Sequence, residues 1–393
     1  MDTFEFVGKI KSPTGVIKGF EEKTTSTGWK MRKTNVNVIC GSNSHLCTVN
    51  GGMFSEDDTI KVFMKKRNET GKTVDVLFKD RFNPIHFSQP ETWVKCYTID
   101  KELPDIRETL DLIETNFEAG TITEDHLAIL NVDSIEKVRK ALDERAVKKY
   151  LHMWDFTEAL NNLAAEAGNN KYKVTGHIEI QYNMETGMAY KNYVIDRVMR
   201  VADDTPTSSS VVMDVFFYDG FVEKKEWIAD VKNKSFSGSA IINGKESFYY
   251  NNKKYNVKGT YFADVQIEVP SGVYGYRILD IMEGTVKENK DKVFSIKLRM
   301  TAVDGAEVVE FTEDMLSEDE LLDIELGICT FEDIKVEKSK ETVYGDRVRK
   351  YILEHKKGTP SPKAEETVYS KEELVYPYVK EEDDDEDIDF DDI

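Results

Sequence analysis

Residues 171–201 read KYKVTGHIEIQYNMETGMAYKNYVIDRVMRV. Tyr172, Val174, Ile178 and Ile180 alternate with Lys173, Thr175, His177 and Glu179, the two-residue period of a strand with one buried face. Met184–Gly187 reads as a turn, and Tyr190–Val201 resumes the strand pattern beyond it. The segment predicts a β-hairpin, and the same pattern recurs on both sides of it.

Downstream, a Thr/Ser/Pro-rich loop at Asp203–Ser210 precedes strand candidates at Val211–Tyr218, Lys224–Val231, Ser247–Tyr250, Tyr255–Phe262 and Val265–Val269. A third set is expected at Tyr274–Lys287 and Val293–Ala302. Upstream, residues 1–99 offer Phe4–Ile10, Trp29–Ile39, Leu46–Val49, Thr59–Met64, Thr73–Phe78 and Thr92–Ile99. Between these blocks the period changes. Ile106, Leu110, Ile113 and Phe117 recur at helical spacing, Asp133 and Glu136 form a capping-box pattern ahead of Val138, Leu142, Ala146 and Tyr150, and Asp155–Ala167 stops at Gly168. The fold class expected is mainly β with an α-helical insert (α+β): a β domain over 1–99, a helical connector over 100–168, a second β domain over 169–270, and a β-rich extension over 271–356 with a short helix near 313–328. A linker over 357–380 and an acidic tail over 381–393 follow.

The formal net charge is −21, and residues 381–393 carry ten of the acids and no base, leaving −11 on the rest. The balance is +4 over 1–99, −8 over 100–168, zero over 169–270 and −7 over 271–380. A mildly basic segment in an acidic chain fits a local anion-binding face. Four cysteines, Cys40, Cys47, Cys96 and Cys329, make no disulfide framework and suit a reducing compartment. The start MDTFEFVGKI carries no leader pattern and no apolar run approaches a membrane span, so a cytoplasmic protein of a bacterial host cell is expected, with no membrane partner.

Several chemistries lack their signatures. There is no phosphate-binding Gly-rich loop, no dinucleotide fingerprint, no nucleophile elbow and no two-His metalloprotease spacing, so no enzyme and no cofactor are expected. Cys40, His45, Cys47 and Cys96 gather four soft donors. However, Cys40 and Cys47 stand too far apart for a usual zinc pair, and no metal is assigned. Cys40 and Cys96 read as small buried hydrophobes and His45 as a turn residue.

Rings and bases interleave on the candidate strands: Trp29, Lys30, Arg32 and Lys33, then Lys65, Lys66 and Arg67, then Tyr190, Lys191, Tyr193, Arg197 and Arg200, and finally Tyr249. Binding a single strand without regard to sequence needs rings to stack on bases and cations to follow phosphates. Rings on strands also build cores, so each is weighed against that role. Trp29 stands out because three cations follow closely.

The chain ends EEDDDEDIDFDDI. Like charges keep such a run unfolded. Yet Ile388, Phe390 and Ile393, set among Asp387, Asp389, Asp391 and Asp392, give it apolar anchors fit for a basic, greasy pocket on a partner. With two β-rich blocks, a linker near Gly358–Lys363 and this tail, the chain resembles the single-stranded-DNA-binding proteins of bacteria and their phages. It departs from them in ending Asp-Asp-Ile and in carrying a helical block. The resemblance implies two OB-like β-barrels, non-sequence-specific binding of single-stranded DNA in replication or recombination, and recruitment of replication or recombination proteins by the tail. Two other readings fit the composition: an acidic protein–protein or DNA-mimic module, and a metal-dependent nuclease using carboxylates.

Overall fold

The computed structural model describes residues 2–14, 17–66, 69–87, 92–143, 147–230, 235–287, 289–308, 344–355 and 362–377, with isolated positions between 316 and 334. Mostly β-structure, it follows the period read from the sequence. Strands β1 (Thr3–Lys11), β2 (Phe20–Thr24), β3 (Lys30–Cys40) and β4 (Asn43–Met53) come first. Strands β5 (Thr59–Lys66), β6 (Lys72–Leu77), β7 (Thr92–Val94) and β8 (Tyr97–Asp100) precede helices α1 (Pro104–Glu118), α2 (Glu124–Ile129) and α3 (Ile135–Asp143). Strand β9 (Val147–Tyr150) and helix α4 (Met153–Glu166) lead to the hairpin β10 (Lys171–Asn183) and β11 (Met188–Arg200). Then come β12 (Ser208–Phe217), β13 (Val222–Asp230), β14 (Ser235–Asn252), β15 (Val257–Val269), helix α5 (Val273–Lys287), β16 (Phe294–Val308), β17 (Tyr344–Leu353) and β18 (Ala364–Glu366).

The pairings run in two circuits. β1 pairs antiparallel with β10, β10 with β11, β11 parallel with β4 at Tyr193–Cys47, β4 antiparallel with β3, and β3 returns to β1. In the second, β12 pairs with β16, β16 with β17, β17 parallel with β15, β15 with β14, and β14 returns to β12 at Phe216–Lys245. Pairing of β1 with β12 joins the circuits into one large sheet. Each return needs a close approach, and a glycine stands at each. A Cβ on Gly8 would overlap the Ile39 carbonyl oxygen, and one on Gly244 would lie 2.5 Å from Val215 Cγ1.

These pairings cross the boundaries expected at 99 and 168, because β1, β3 and β4 share a circuit with β10 and β11. Likewise β16 and β17, from the expected extension, complete the circuit begun by β12. One hydrophobic core runs through both, with Phe6, Ile10, Ile195, Met213, Phe217 and Ile242 wholly buried. Each such side chain contributes about 1.5–3 kcal/mol by leaving water.

In each circuit a helix lies between the third and fourth strands in chain order. α4 turns Phe156, Leu160 and Leu163 inward, is capped by the His152 Nδ1 accepting from the Trp154 N–H at 3.2 Å, and stops ahead of Gly168 at φ +56°. α5 corrects the expectation of a strand over Tyr274–Lys287. Its buried Ile278, Leu279, Met282 and Val286 have helical spacing, and that period wins over the β-branched and aromatic content.

The expected helix running through Tyr150 also breaks. It ends at Asp143, and Val147–Tyr150 pairs with β8. β5–β7 form a separate three-strand sheet, and α1–α3 close on Ile113, Val138 and Leu142. The short helix near 313–328 lies almost wholly outside the described residues.

The expected linker is partly a packed strap. β18 pairs with β16, Leu374 is buried with Phe216, Phe262 and Val293, and the Phe262 N–H donates to the Val375 carbonyl at 3.0 Å. Tyr369 adds its ring to Phe262 at 5.0 Å. Among the described residues, no helix is long and apolar enough to cross a membrane.

Candidate nucleic-acid interface

Strand alternation divides the run Trp29–Lys33. Arg32 and Thr34 face α4: the Arg32 Nε donates to Glu22 Oε2 and its Nη1 to Glu158 Oε2, both at 2.8 Å, while its guanidinium lies 4.1 Å from the Trp154 ring centroid. Thr34 Oγ1 donates to the Thr157 carbonyl at 2.7 Å. Arg32 therefore ties β3 to α4 and is withdrawn from the phosphate-contact role expected of it. Trp29, on the opposite face, lies across Gly52, where a Cβ would collide with the indole, and meets Phe54 edge-on at 4.7 Å. Phe54 is 54% exposed. Lys30 is exposed, and Lys33 is half-buried on Trp29's side of the strand. Trp29 borders a cavity of about 410 Å³ that also reaches Asn50, Lys61 and His152.

Alternation divides the second run in the same way. Tyr193 is core, 8% exposed and packed edge-on against Phe4 at 5.3 Å and Phe6 at 4.9 Å. Burial holds its hydroxyl well above the usual tyrosine range. Lys191 turns inward too: its Nζ lies 2.5 Å from the wholly buried Glu246, donates to the Tyr351 hydroxyl at 3.3 Å and sits 4.4 Å from that ring's centroid. It joins the first circuit to the second and does not reach out to phosphate. Arg200 is buried, bound to Asp203 at 2.9 Å and to the Lys171 carbonyl at 3.1 Å. All three depart from the expected role because their faces of β11 are covered. Tyr190, 48% exposed, and Arg197 stay at the surface. Tyr249 is 61% exposed, on the opposite face of β14 from Phe248 and Tyr250.

Lys65 and Lys66 are exposed at the end of β5, on the separate small sheet. Arg67 and the tail residues Asp387, Ile388, Asp389, Phe390, Asp391, Asp392 and Ile393 lie outside the described residues.

Four aromatic or cationic side chains missed as site residues lie near the retained ones. Phe54 follows β4 directly. Tyr250, Lys254 and Tyr255 border an open cleft of about 470 Å³ together with Tyr190. Alternation was the available signal for Tyr250, since it must face away from Tyr249.

The soft donors of the first block are structural. His45 is not in a turn: it is fully buried on β4, stacked on Phe6 at 4.2 Å, with Nε2 2.9 Å from Ser209 Oγ. Burial pushes the Cys40 thiol up to about 11 and holds Cys47 well above the usual thiol range, so neither supplies a thiolate near neutrality. Cys96 is half-buried. Among the described residues, no group of three or more His, Cys, Asp or Glu side chains is placed to hold a metal ion. Elsewhere, His177 lies between Asp196 at 2.9 Å and Glu179 at 3.2 Å, and these carboxylates raise it to about 9.

No protein-family profile matches the chain, and no curated protein is similar to it in sequence. Among solved structures it is similar to the wild-type single-stranded DNA binding protein from Thermus aquaticus, at 7% identity and a TM-score of 0.28, over 77% of this chain and 85% of that one. A deletion mutant of that protein gives the same identity and score over 87% of its own length.

Proposed function

We propose that each circuit is an OB-type barrel and that the chain binds single-stranded DNA without sequence preference, as a binding protein and not an enzyme. The observation that carries this is the repeated order of pairing. In both circuits strand one pairs with two and four, two with three, three runs parallel to five, and a helix joins three to four. That is the arrangement of the five-strand oligonucleotide-binding barrel, which uses the face of its second and third strands and the flanking loops. In the first circuit those strands are β3 and β4; Trp29, Phe54 and Lys33 stand on one face, and Lys30 is exposed on the other. A ring pair beside a cation is what a flexible polyanion with exposed base faces requires.

On this reading the domains are redrawn. The first barrel is β1, β3, β4, β10 and β11, with residues 54–152 inserted ahead of its helix. The second runs from β12 to β17. The acidic end from Asp387 to Ile393 recruits replication or recombination proteins of the bacterial or phage system in which the chain works. The net charge of −21 favours a second reading, an acidic protein–protein module.

Titration of fluorescent oligo-dT and a matched duplex at two salt concentrations separates the two. Salt-sensitive binding of the single strand alone supports the proposal, with log K falling at about −0.7 per phosphate contacted. Binding of neither strand at low salt overturns it.

A further inference from the structure

The two barrels, joined along β1 and β12, also approach each other at one pair of turns. The turn joining β10 to β11 stands beside the turn joining β14 to β15, and between them lies the open cleft of about 470 Å³. Its composition differs from that of the cores. Tyr182 forms a buried floor, Tyr250 stands edge-on to it at 5.7 Å and 87°, and Tyr190 lies 48% exposed at the rim. Lys254 reaches over the Tyr255 ring at 4.8 Å, with both side chains drawn toward Glu185 at 3.3 and 3.4 Å.

The floor is fixed from behind. Tyr376 of the C-terminal strap stacks on Tyr182 at 5.7 Å and 26°, and Tyr182's hydroxyl reaches the Pro377 carbonyl at 3.5 Å. Tyr250 is fixed as well, since the Asn252 Nδ2 donates to its hydroxyl at 2.8 Å. These tyrosines are therefore ordered before anything binds, and the rings at the wall and rim keep open surface. A pre-ordered aromatic cleft of this size with a cation at its edge suits a flat, polar, π-faced ligand linked to an anion.

We propose that this cleft is a nucleobase pocket. One base of the bound strand leaves the stack, rests against Tyr190 and Tyr250, and its phosphate meets Lys254. The proposal rests on the single-stranded-DNA reading and adds to it a second contact point, built jointly by the two barrels and separate from the Trp29–Phe54 pair. It also gives the strap a positioning role through Tyr376.

The test uses the full chain and two probes: oligo-dT, and the same strand with every base replaced by an abasic unit. Stacking of one base predicts that Tyr190→Ala and Tyr250→Ala each weaken oligo-dT binding about tenfold or more and leave the abasic strand unaffected. Tyr190→Phe, which keeps the ring and folds without disturbing the rim, retains wild-type affinity for both. Lys254→Ala weakens both strands and lowers the salt slope. Unchanged oligo-dT binding by Tyr190→Ala, or equal losses on both strands, overturns the pocket while leaving single-strand binding intact. Failure of the wild type to bind either probe overturns the underlying reading, and the pocket with it.

Discussion

Replacing Lys191 with Met removes the ammonium 2.5 Å from Glu246 while keeping much of the side chain's length. Glu246 has no exposed surface, so water cannot take the place of the lost cation. Burial already raises its pKa and Lys191 opposes that rise, so the substitution frees the carboxyl to shift further. Breaking a buried pair in this way costs about 3–5 kcal/mol, and the lower end is expected because Lys191 is itself 23% exposed. Glu246→Gln leaves an ammonium that still has solvent and the Tyr351 ring, and costs less, about 1–2 kcal/mol. The double change to two methionines recovers most of the loss, since an apolar pair of similar volume has no charge to desolvate.

The pH dependence has a definite sign. A carboxyl whose folded pKa lies above its ordinary 4.5 contributes stability below that value and loses it as the pH rises through the raised one. The deficit of Lys191→Met is therefore largest near neutrality and narrows in acid. Urea midpoints near pH 7 and pH 5 measure this, and the salt slope of oligo-dT binding measures the alternative. A cost under about 1 kcal/mol together with a slope reduced by about 0.7 would return Lys191 to phosphate contact and refute its role in joining the two circuits.

Trp29→Ala should weaken oligo-dT binding by about 1–3 kcal/mol with little change in melting, whereas Arg32→Ala should lower the melting temperature and leave affinity intact; anisotropy and thermal scans run side by side read both. Leu374→Ala should cost about 2–5 kcal/mol in a denaturant titration if the strap is packed as described, and a change within error would mean that it is not. His177 is raised by Asp196 first and Glu179 second from 6.5 to about 9, so its stabilisation is complete below about pH 6.5 and is lost as the pH rises through about 9. The shift would be worth about 3 kcal/mol at full value and about 1 after solvent screening, because the Glu179 side chain is 51% exposed. His177→Gln should flatten the fall in melting temperature across that window.

Much of the secondary structure was legible because it is set by neighbours in sequence. The β10–β11 hairpin, α1 and α4 follow from apolar spacing and from Gly168, and the α5 spacing was present but outweighed by Tyr274, Ile278 and Val286 as strand formers. Strand order was not legible. The first circuit closes through β1–β3 and through one parallel bridge between β4 and β11, and no local pattern announces a partner more than a hundred residues away. The sequence blocks 1–99 and 169–270 therefore looked like two units, although each supplies strands to the first circuit.

The site shows the same division more sharply. Alternation along Trp29–Lys33 already requires that Lys30 and Arg32 face one way and Trp29 and Lys33 the other, so the four could not all meet one ligand. What alternation cannot say is which face is covered. For β3 the cover is Glu158 and Trp154 of α4; for β11 it is Glu246 and Tyr351 of the second circuit. A cation beside an aromatic residue is the same pattern whether the ring is its own partner, as Tyr351 is to Lys191, or a stacking platform for a base. The decision rests on a carboxylate supplied from elsewhere in the chain to a cation whose own side chain is mostly buried, 18% exposed in Arg32 and 23% in Lys191. Where one faces the cation, as Glu158 faces Arg32 and Glu246 faces Lys191, the charge is already matched. Lys33, for which no ion pair is seen among the described residues, is the cation left on Trp29's face of β3 to follow a phosphate backbone.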